Sequence, residues 1–367
     1  MQTRVLLCSF VLLAGCATRS NDPNAPRELL PDPTFAYWFS IRGLGQPADD
    51  GQVKGVFRTS GKVGKPSWTL AQWASKHSFA DSAVTRQVRL GTHLFSITNA
   101  SKRVTVDSQR GEIELGLFAS ACYDRPRQKN EPWPHLLAST ALTDTRYPSE
   151  SCRVETLKRL DVSMECRLTE FADKNPVADP DLHAAQFQLF LYVQNLTQGD
   201  DGFGDMLWFG IPVFDNRRPQ KEETYQRDGG KPDASGKFIY SLPSKACLPQ
   251  GSTFFAEVIG KPAASGAGTN QGVTGTLNSE RRTPNAEVIG KGTRWTNVRV
   301  DAAPWIVYAF KLARRNGYLA NTELKDLYVS GLNFGWEMPG AFDAVMQVRG
   351  FSLLATPLPP PTLKVER

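Results

Sequence analysis

The sequence holds no apolar run of about 18 residues beyond its first fifteen positions, which excludes a polytopic membrane protein. It has no run of five basic residues, and Lys and Arg are interleaved with Asp and Glu, so nucleic acid is not expected as a partner. Histidine is scarce, at 4. With no CxxC and no HxxxH, close-set zinc ligands are missing, and no metal or other cofactor is expected. GxSxG, HExxH, the P-loop and GxGxxG are also absent, as is Glu-x-Asp-x-x-Glu. Helix signals are few, and no βαβ alternation occurs. What is present is 40% hydrophobic and 10% aromatic residues among 367, enough for a sizeable core and too many for a disordered chain. The 30 Gly and 25 Pro point to short strands and many turns.

The N-terminus carries Arg4, then an apolar stretch from Val5 to Ala14 that is too short to span a bilayer, then Leu13-Ala14-Gly15-Cys16. Small side chains at Ala14 and Gly15 admit a peptidase, and the Cys16 thiol is the nucleophile that accepts a diacylglyceryl group. This segment resembles the lipobox of bacterial lipoproteins. The resemblance implies a signal peptide at 1–15 and a Cys16 bearing palmitate-type acyl chains, two or three of which anchor a protein stably. Ala17 in place of Asp implies sorting to the outer membrane of the cell envelope. Cleavage removes Arg4 alone among the charges, so the formal charge of +6 falls by one, a modest surplus that serves solubility.

Cys122, Cys152, Cys166 and Cys247 remain in what would be an oxidising compartment, and an even number there suggests two disulfides. The expected pairing is Cys152–Cys166 across a hairpin, with Cys122–Cys247 as the second bridge; other connectivities stay open.

Along the chain, 16–34 reads as a lipidated Cys followed by a Pro-punctuated tether. Strands are expected at Phe35 to Ile41, Arg103 to Asp107, Glu112 to Leu117, Leu157 to Leu168, Phe187 to Val193, Met206 to Phe214, Leu327 to Leu332 and Ala344 to Leu354. Trp68 to Lys76 reads as a short helix or a loop. The one clear helix is Ala302 to Asn316, with Asp301 as N-cap, Pro304 in the first turn and Gly317 past the end. Ala256-Glu257-Val258-Ile259-Gly260-Lys261 recurs as Ala286-Glu287-Val288-Ile289-Gly290-Lys291, which suggests a local duplication and a surface insert at about 256–285. The tail from 356 to 367 is Pro-rich. This pattern predicts an all-β fold, an antiparallel jelly-roll-like β-sandwich over 35–355 with long loops and one late helix at about 302–316. Two stacked sandwiches, divided near residue 150 or 250, are the alternative. Trp and Tyr near turns in a long strand-rich span resemble carbohydrate-associated jelly rolls of the lectin-like and galactose-binding-like kinds.

Chemistry concentrates in a few segments. Pro132-Trp133-Pro134-His135 offers a general base or a sugar hydrogen-bonder beside an aromatic ring; the plainer reading is a histidine capping a strand end. On the strand that follows His183, Gln186 and Gln188 share a face with Tyr192. Paired amides donate and accept, which suits hydroxyl-rich ligands, although a solvated outer face has the same pattern. Trp208 is able to stack on a sugar ring, and Asp215 with Arg217 to clamp a ligand, against the commoner roles of core Trp and local ion pair. Trp336-Glu337 offers a ring beside an acid whose pKa burial would raise, or a Glu bonded to turn amides.

The first expectation is therefore a non-catalytic glycan-binding groove formed by Trp133, His135, Gln186, Gln188, Trp208 and Trp336. The second is an envelope polysaccharide lyase or glycoside hydrolase using His135, His183, Asp215 and Glu337. The third is a structural envelope protein that binds another protein.

Overall fold

The structure is a computed structural model that describes residues 22, 24–45, 52–59, 65–177, 179–218, 220–229, 234–249 and 294–359. The lipobox with Cys16, the duplicated insert at 256–285 and the end of the Pro-rich tail lie outside the described residues.

Two sheets face each other. The 8-stranded sheet runs β15 (Thr296–Asp301), β10 (Leu157–Asp173), β17 (Phe342–Pro357), β8 (Glu112–Phe118), β7 (Lys102–Asp107), β6 (Leu94–Thr98) and β5 (Arg86–Arg89), and β1 (Arg27–Glu28) also pairs with β17. The 9-stranded sheet runs β13 (Thr224–Arg227), β14 (Phe238–Ser241), β12 (Met206–Asp215), β11 (Gln186–Asn195), β16 (Leu327–Glu337), β9 (His135–Ala141), β4 (Trp68–Ala71), β2 (Phe39–Arg42) and β3 (Val53–Phe57). Early and late strands alternate within both sheets, as where β9 pairs with β16 and β10 with β17. The described strands therefore form a jelly-roll-like sandwich in which early and late segments pair within both sheets.

Period-two patterning builds these strands. On β7 and β8, Val104, Val106, Ile113, Leu115 and Leu117 point into the core, while Arg103, Thr105, Glu112 and Glu114 point out. The Asp107 side chain closes the intervening turn by accepting from the backbone N–H groups of Gln109 and Arg110, both at 3.1 Å, and Gly111 takes the left-handed φ of +62° that ends it. Between the sheets, Trp68 packs on Phe35 (5.1 Å) and Phe334 (5.8 Å), and Phe334 on Phe351 (5.2 Å).

Several expectations change. The 9-stranded sheet is mixed, with parallel pairs β2–β4 and β12–β14. In both cases three successive strands alternate in direction and the third docks beside the first, which makes that pair parallel. Trp68–Ala71 is strand, neither helix nor loop. The folded body starts before residue 35, inside the span read as tether. There the Glu28 carboxylate accepts from the N–H groups of Leu30 (3.0 Å) and Leu353 (2.9 Å), and Leu30 is buried. The one α-helix among the described residues, α1, spans Ala303–Arg315. Asp301 ends β15, and its carboxylate accepts from the N–H of Leu160 (3.0 Å) and of Ala303 (3.3 Å).

The expected disulfides do not form: Cys122, Cys152, Cys166 and Cys247 are all free. No hairpin joins Cys152 to Cys166. β10 runs straight on from Leu157, which carries Cys166 about 30 Å down the strand at the usual rise per residue. Cys152 instead sits in a satellite cluster with Leu196 and Tyr328. Cys122 follows β8 in one sheet, whereas the Cys247 thiol donates to the Pro212 carbonyl of the other at 3.4 Å. Burial pushes the Cys152 thiol up to about 11 and the Cys247 thiol up to about 12, so both stay protonated and inert at neutral pH. All four cysteines should label with a thiol reagent in denaturant without reductant. In the native protein the half-buried Cys122 should label first; failure of any two to label under denaturing conditions would show a bridge.

Candidate functional site

The 9-stranded sheet turns Phe187, Leu189, Leu191 and Val193 of β11 towards the core, together with Phe334 and Trp336 of β16. Its other face carries the alternate residues. Strand register aligns these in rows across β9, β16, β11 and β12.

At one end of that face the row is His135, Glu337, Gln186 and Asp215. His135 is buried, with Nε2 3.7 Å from the Glu337 Oε2. Its ring stacks on Trp133 at 6.0 Å and meets Trp73 edge-on at 5.7 Å. The Arg127 guanidinium lies 5.2 Å over Trp133 and donates to the carbonyls of Leu182 (2.9 Å) and Glu131 (2.7 Å). At the other end of the row the Asp215 carboxylate is fully engaged. It accepts from Gln186 Nε2 (2.7 Å), from Arg217 Nε (3.0 Å) and Nη2 (2.9 Å), and from the Arg217 backbone N–H (3.0 Å). Burial pushes this carboxyl up, but the Arg217 guanidinium and the Gln186 amide outweigh burial and hold it below the usual carboxylate range. Lys221 stands beside the row: burial lowers its pKa, Asp215 and Glu337 pull it up, and Arg217 and Arg218 push it down.

Further along, the face becomes aromatic and amide-lined. The register Gln188, Phe190, Tyr192 on β11 lies opposite Pro212, Gly210, Trp208 on β12 and Gly335, Asn333, Gly331 on β16. Trp208 meets Tyr192 at 4.9 Å and 85°, and Phe190 at 6.0 Å and 78°. These rings lie down on the sheet because the neighbouring residues are glycines. A Cβ on Gly331 would sit 3.0 Å from the Tyr192 ring, and one on Gly210 would sit 2.8 Å from the Phe190 ring. Burial raises the Tyr192 phenol, whose hydrogen-bond partner is the Asn333 side chain. The Gln188 Oε1 and Asn333 Oδ1 atoms are buried without a hydrogen-bond partner among the described residues, at residue exposures of 7% and 3%. From Gln186 to Tyr192 the face is about 20 Å long at the ordinary rise of a strand.

The structure thus brings Trp133, His135, Gln186, Gln188, Trp208, Asp215 and Glu337 onto one face or its end. Trp336 is not among them: it is fully buried between the sheets, and its Nε1 donates to the Leu115 carbonyl at 2.9 Å. Alternation dictates this, because Glu337 and Trp336 are successive strand residues and point to opposite faces. His183 is not in the row either. It is buried against the turn at Gly340, where a Cβ would meet its ring at 3.1 Å. Asn333, Lys221, Arg127 and Trp73 were not foreseen. Asn333 had a readable signal, since Gly331-Leu332-Asn333-Phe334-Gly335 places a lone amide between two glycines on one strand face.

Chemically, the described face holds two acids, Glu337 and Asp215, with β11 between them. Their Cα atoms are about 10 Å apart by strand spacing. Asp215 is paired on both oxygens, which leaves it a structural ion rather than a proton acceptor.

No family model matches the chain, and no curated protein matches it. Among solved structures it is similar to the endoglucanase cel12A from Rhodothermus marinus, at 13% identity over 75% of this chain and 96% of that one, with a TM-score of 0.34. It is also similar to the family 11 xylanase from Neocallimastix patriciarum (9% identity, 75% and 97% covered, TM-score 0.33) and to the native family 12 xyloglucanase from Bacillus licheniformis (10%, 74% and 97%, 0.33). The sandwich stands on its strand pairing, independently of these neighbours.

Replacing Arg217 by Ala would leave Asp215 buried without its cation, at a cost of about 3–5 kcal/mol near pH 7. The Asp215 pKa is depressed in the folded state, so its stabilisation is complete above the unfolded value of 3.8 and fades as pH falls through the lower folded value. Urea unfolding of wild type and Arg217→Ala should differ most near neutrality and converge in acid. A constant difference across pH would contradict this role.

Proposed function

We propose that this chain is a lipoprotein of the bacterial outer membrane, anchored through acylated Cys16, that binds a glycan along the outer face of its 9-stranded sheet without cleaving it. The observation that carries the reading is the pairing of unpartnered buried acceptors, Gln188 Oε1 and Asn333 Oδ1, with the rings of Tyr192 and Trp208. A buried acceptor left unmatched costs about 1–3 kcal/mol, and a sugar hydroxyl removes that cost by donating to it. The C–H faces of the same sugar pack on the aromatic rings. The Arg42 guanidinium acts on the Tyr192 phenol, so the stretch joins a nearby cation to its amides and rings. Its length accommodates several sugar rings.

A second reading, cleavage at the end of the groove, is favoured by one observation: Glu337 beside His135 places an acid and an imidazole at 3.7 Å. The paired state of Asp215 argues against it, since glycoside hydrolysis needs a second competent carboxylate.

The test is a glycan array with the full-length mature protein in detergent, followed by analysis of each bound glycan for new reducing ends or new ultraviolet absorbance. Binding without products is expected; products would establish the second reading, and no binding to any glycan would overturn both. Two variants locate the site. Trp208→Ala should weaken binding by about tenfold or more. Gln188→Leu should weaken binding while leaving stability unchanged or slightly raised, because the deleted oxygen has no partner among the described residues. Loss of stability in Gln188→Leu would show that the amide serves the fold instead.

A further inference from the structure

The entry point of the chain and the single helix lie at the same edge of the sandwich. Glu28 of β1 pairs with Leu354, Leu354 with Asp161, and Asp161 with Asp301, so four strands stand in one row. Three strand spacings place Glu28 about 14 Å from Asp301. α1 begins two residues later, and the Ala302 N–H donates to the Leu160 carbonyl at 2.8 Å. Between Cys16 and Arg27 lie ten residues, which reach at most about 40 Å when extended. An acylated Cys16 therefore keeps this edge, and α1 with it, near the lipid surface.

The outer face of α1 is suited to that surface. Ile306, Ala309, Phe310 and Ala313 are buried in the core, which leaves Tyr308, Lys311, Arg314 and Arg315 exposed. Among the described residues no salt bridge engages Lys311, Arg314 or Arg315. Arg314 rests 5.9 Å over the Phe310 ring, and Trp305 meets Tyr308 edge-on at 6.3 Å. Glu223 is the hydrogen-bond partner of the Tyr308 hydroxyl, and the Glu323 carboxylate acts on Arg314 while bonding Lys325. Arg27 and Lys158, at the tether exit and just before Leu160, are exposed and add to the positive edge. Cations with flanking Tyr and Trp are the composition of a helix that rests on headgroups, and α1 at 13 residues is too short to span. Tyr308 touches Tyr240, which stacks on the core residue Phe209, so α1 lies on the core side of β14, away from the glycan face.

We propose that the outer face of α1 docks on the anionic lipid surface in which Cys16 is anchored, holding the sandwich at the membrane with its glycan face free. The proposal rests on the lipid anchor put forward above and is independent of the glycan. A short tether supplies a high local concentration of membrane, so a weak electrostatic contact suffices.

The test uses the acylated full-length chain reconstituted in vesicles of phosphatidylcholine alone or with phosphatidylglycerol, and reads the acetylation rate of Lys311 by mass spectrometry. Lys54, exposed on β3 at the far edge of the other sheet, is the internal control. Lys311 should label about tenfold more slowly on the phosphatidylglycerol vesicles, with Lys54 unchanged and the protection lost in high salt. Arg314→Glu with Arg315→Glu should abolish the protection while leaving glycan binding intact. Equal Lys311 rates on both lipids would overturn the proposal. If intact mass shows Cys16 unacylated, the anchor fails on its own account. The face is then read by flotation of the same chain with phosphatidylglycerol vesicles: flotation lost in the double variant supports docking, and no flotation overturns it.

Discussion

Strand β16 is buried on both of its faces, and the rest of the molecule is organised around that constraint. Its inward residues Leu332, Phe334 and Trp336 join the two sheets, with the Trp336 indole bonded to a backbone carbonyl of the opposite sheet. From Gly331 to Glu337 its outward residues are glycines, one amide and a terminal acid, small enough for the Tyr192 ring to lie over Gly331. A strand covered on both sides would ordinarily be apolar throughout. Here the outward face keeps polar groups, and Asn333 and the neighbouring Gln188 each retain an acceptor without a hydrogen-bond partner among the described residues. Native interiors rarely tolerate such atoms without a use for them.

The two halves of this face do different work. The charged end is largely self-contained: Arg217 and Gln186 saturate Asp215, His135 lies between two indole rings and near Glu337, and Lys221 faces acids and arginines together. Such a network fixes strand ends in place, and its groups are spent on one another. The amide and aromatic stretch has half-buried rings packed edge-on and buried acceptors without donors among the described residues. Electrostatics thus closes one end of the face, and the other end keeps acceptors that are not spent on partners.

The sequence was informative wherever a single physical rule governs a residue. Alternation placed β7, β8, β11 and β12 to within two residues and the start of β10, which runs five residues past its expected end to Asp173, and the helix ends shifted by one position. The same rule was enough to put Trp336 in the core, because Glu337 and Trp336 cannot share a face, yet the glycines around it suggested a turn. Gln186 and Gln188 were legible as a pair since they sit on one strand. The row of His135, Glu337, Gln186 and Asp215 was not, because it joins four strands that lie far apart in the chain, and register is a property of the assembled sheet. The cysteines misled for a related reason: an even number in an oxidising compartment says nothing about where a 17-residue strand carries one of them. The parallel pairs β2–β4 and β12–β14 also depend on which strand docks first beside another, a choice that local patterning does not encode.

The central claim is that a sugar uncovers the buried acceptors of Gln188 and Asn333 and donates to them. Side-chain amide NMR of these two residues during titration with oligosaccharides tests it most directly. Both amides should shift together and saturate with one ligand, with the Trp208 indole N–H following the same curve. Saturable glycan binding that leaves both amides unmoved would contradict it.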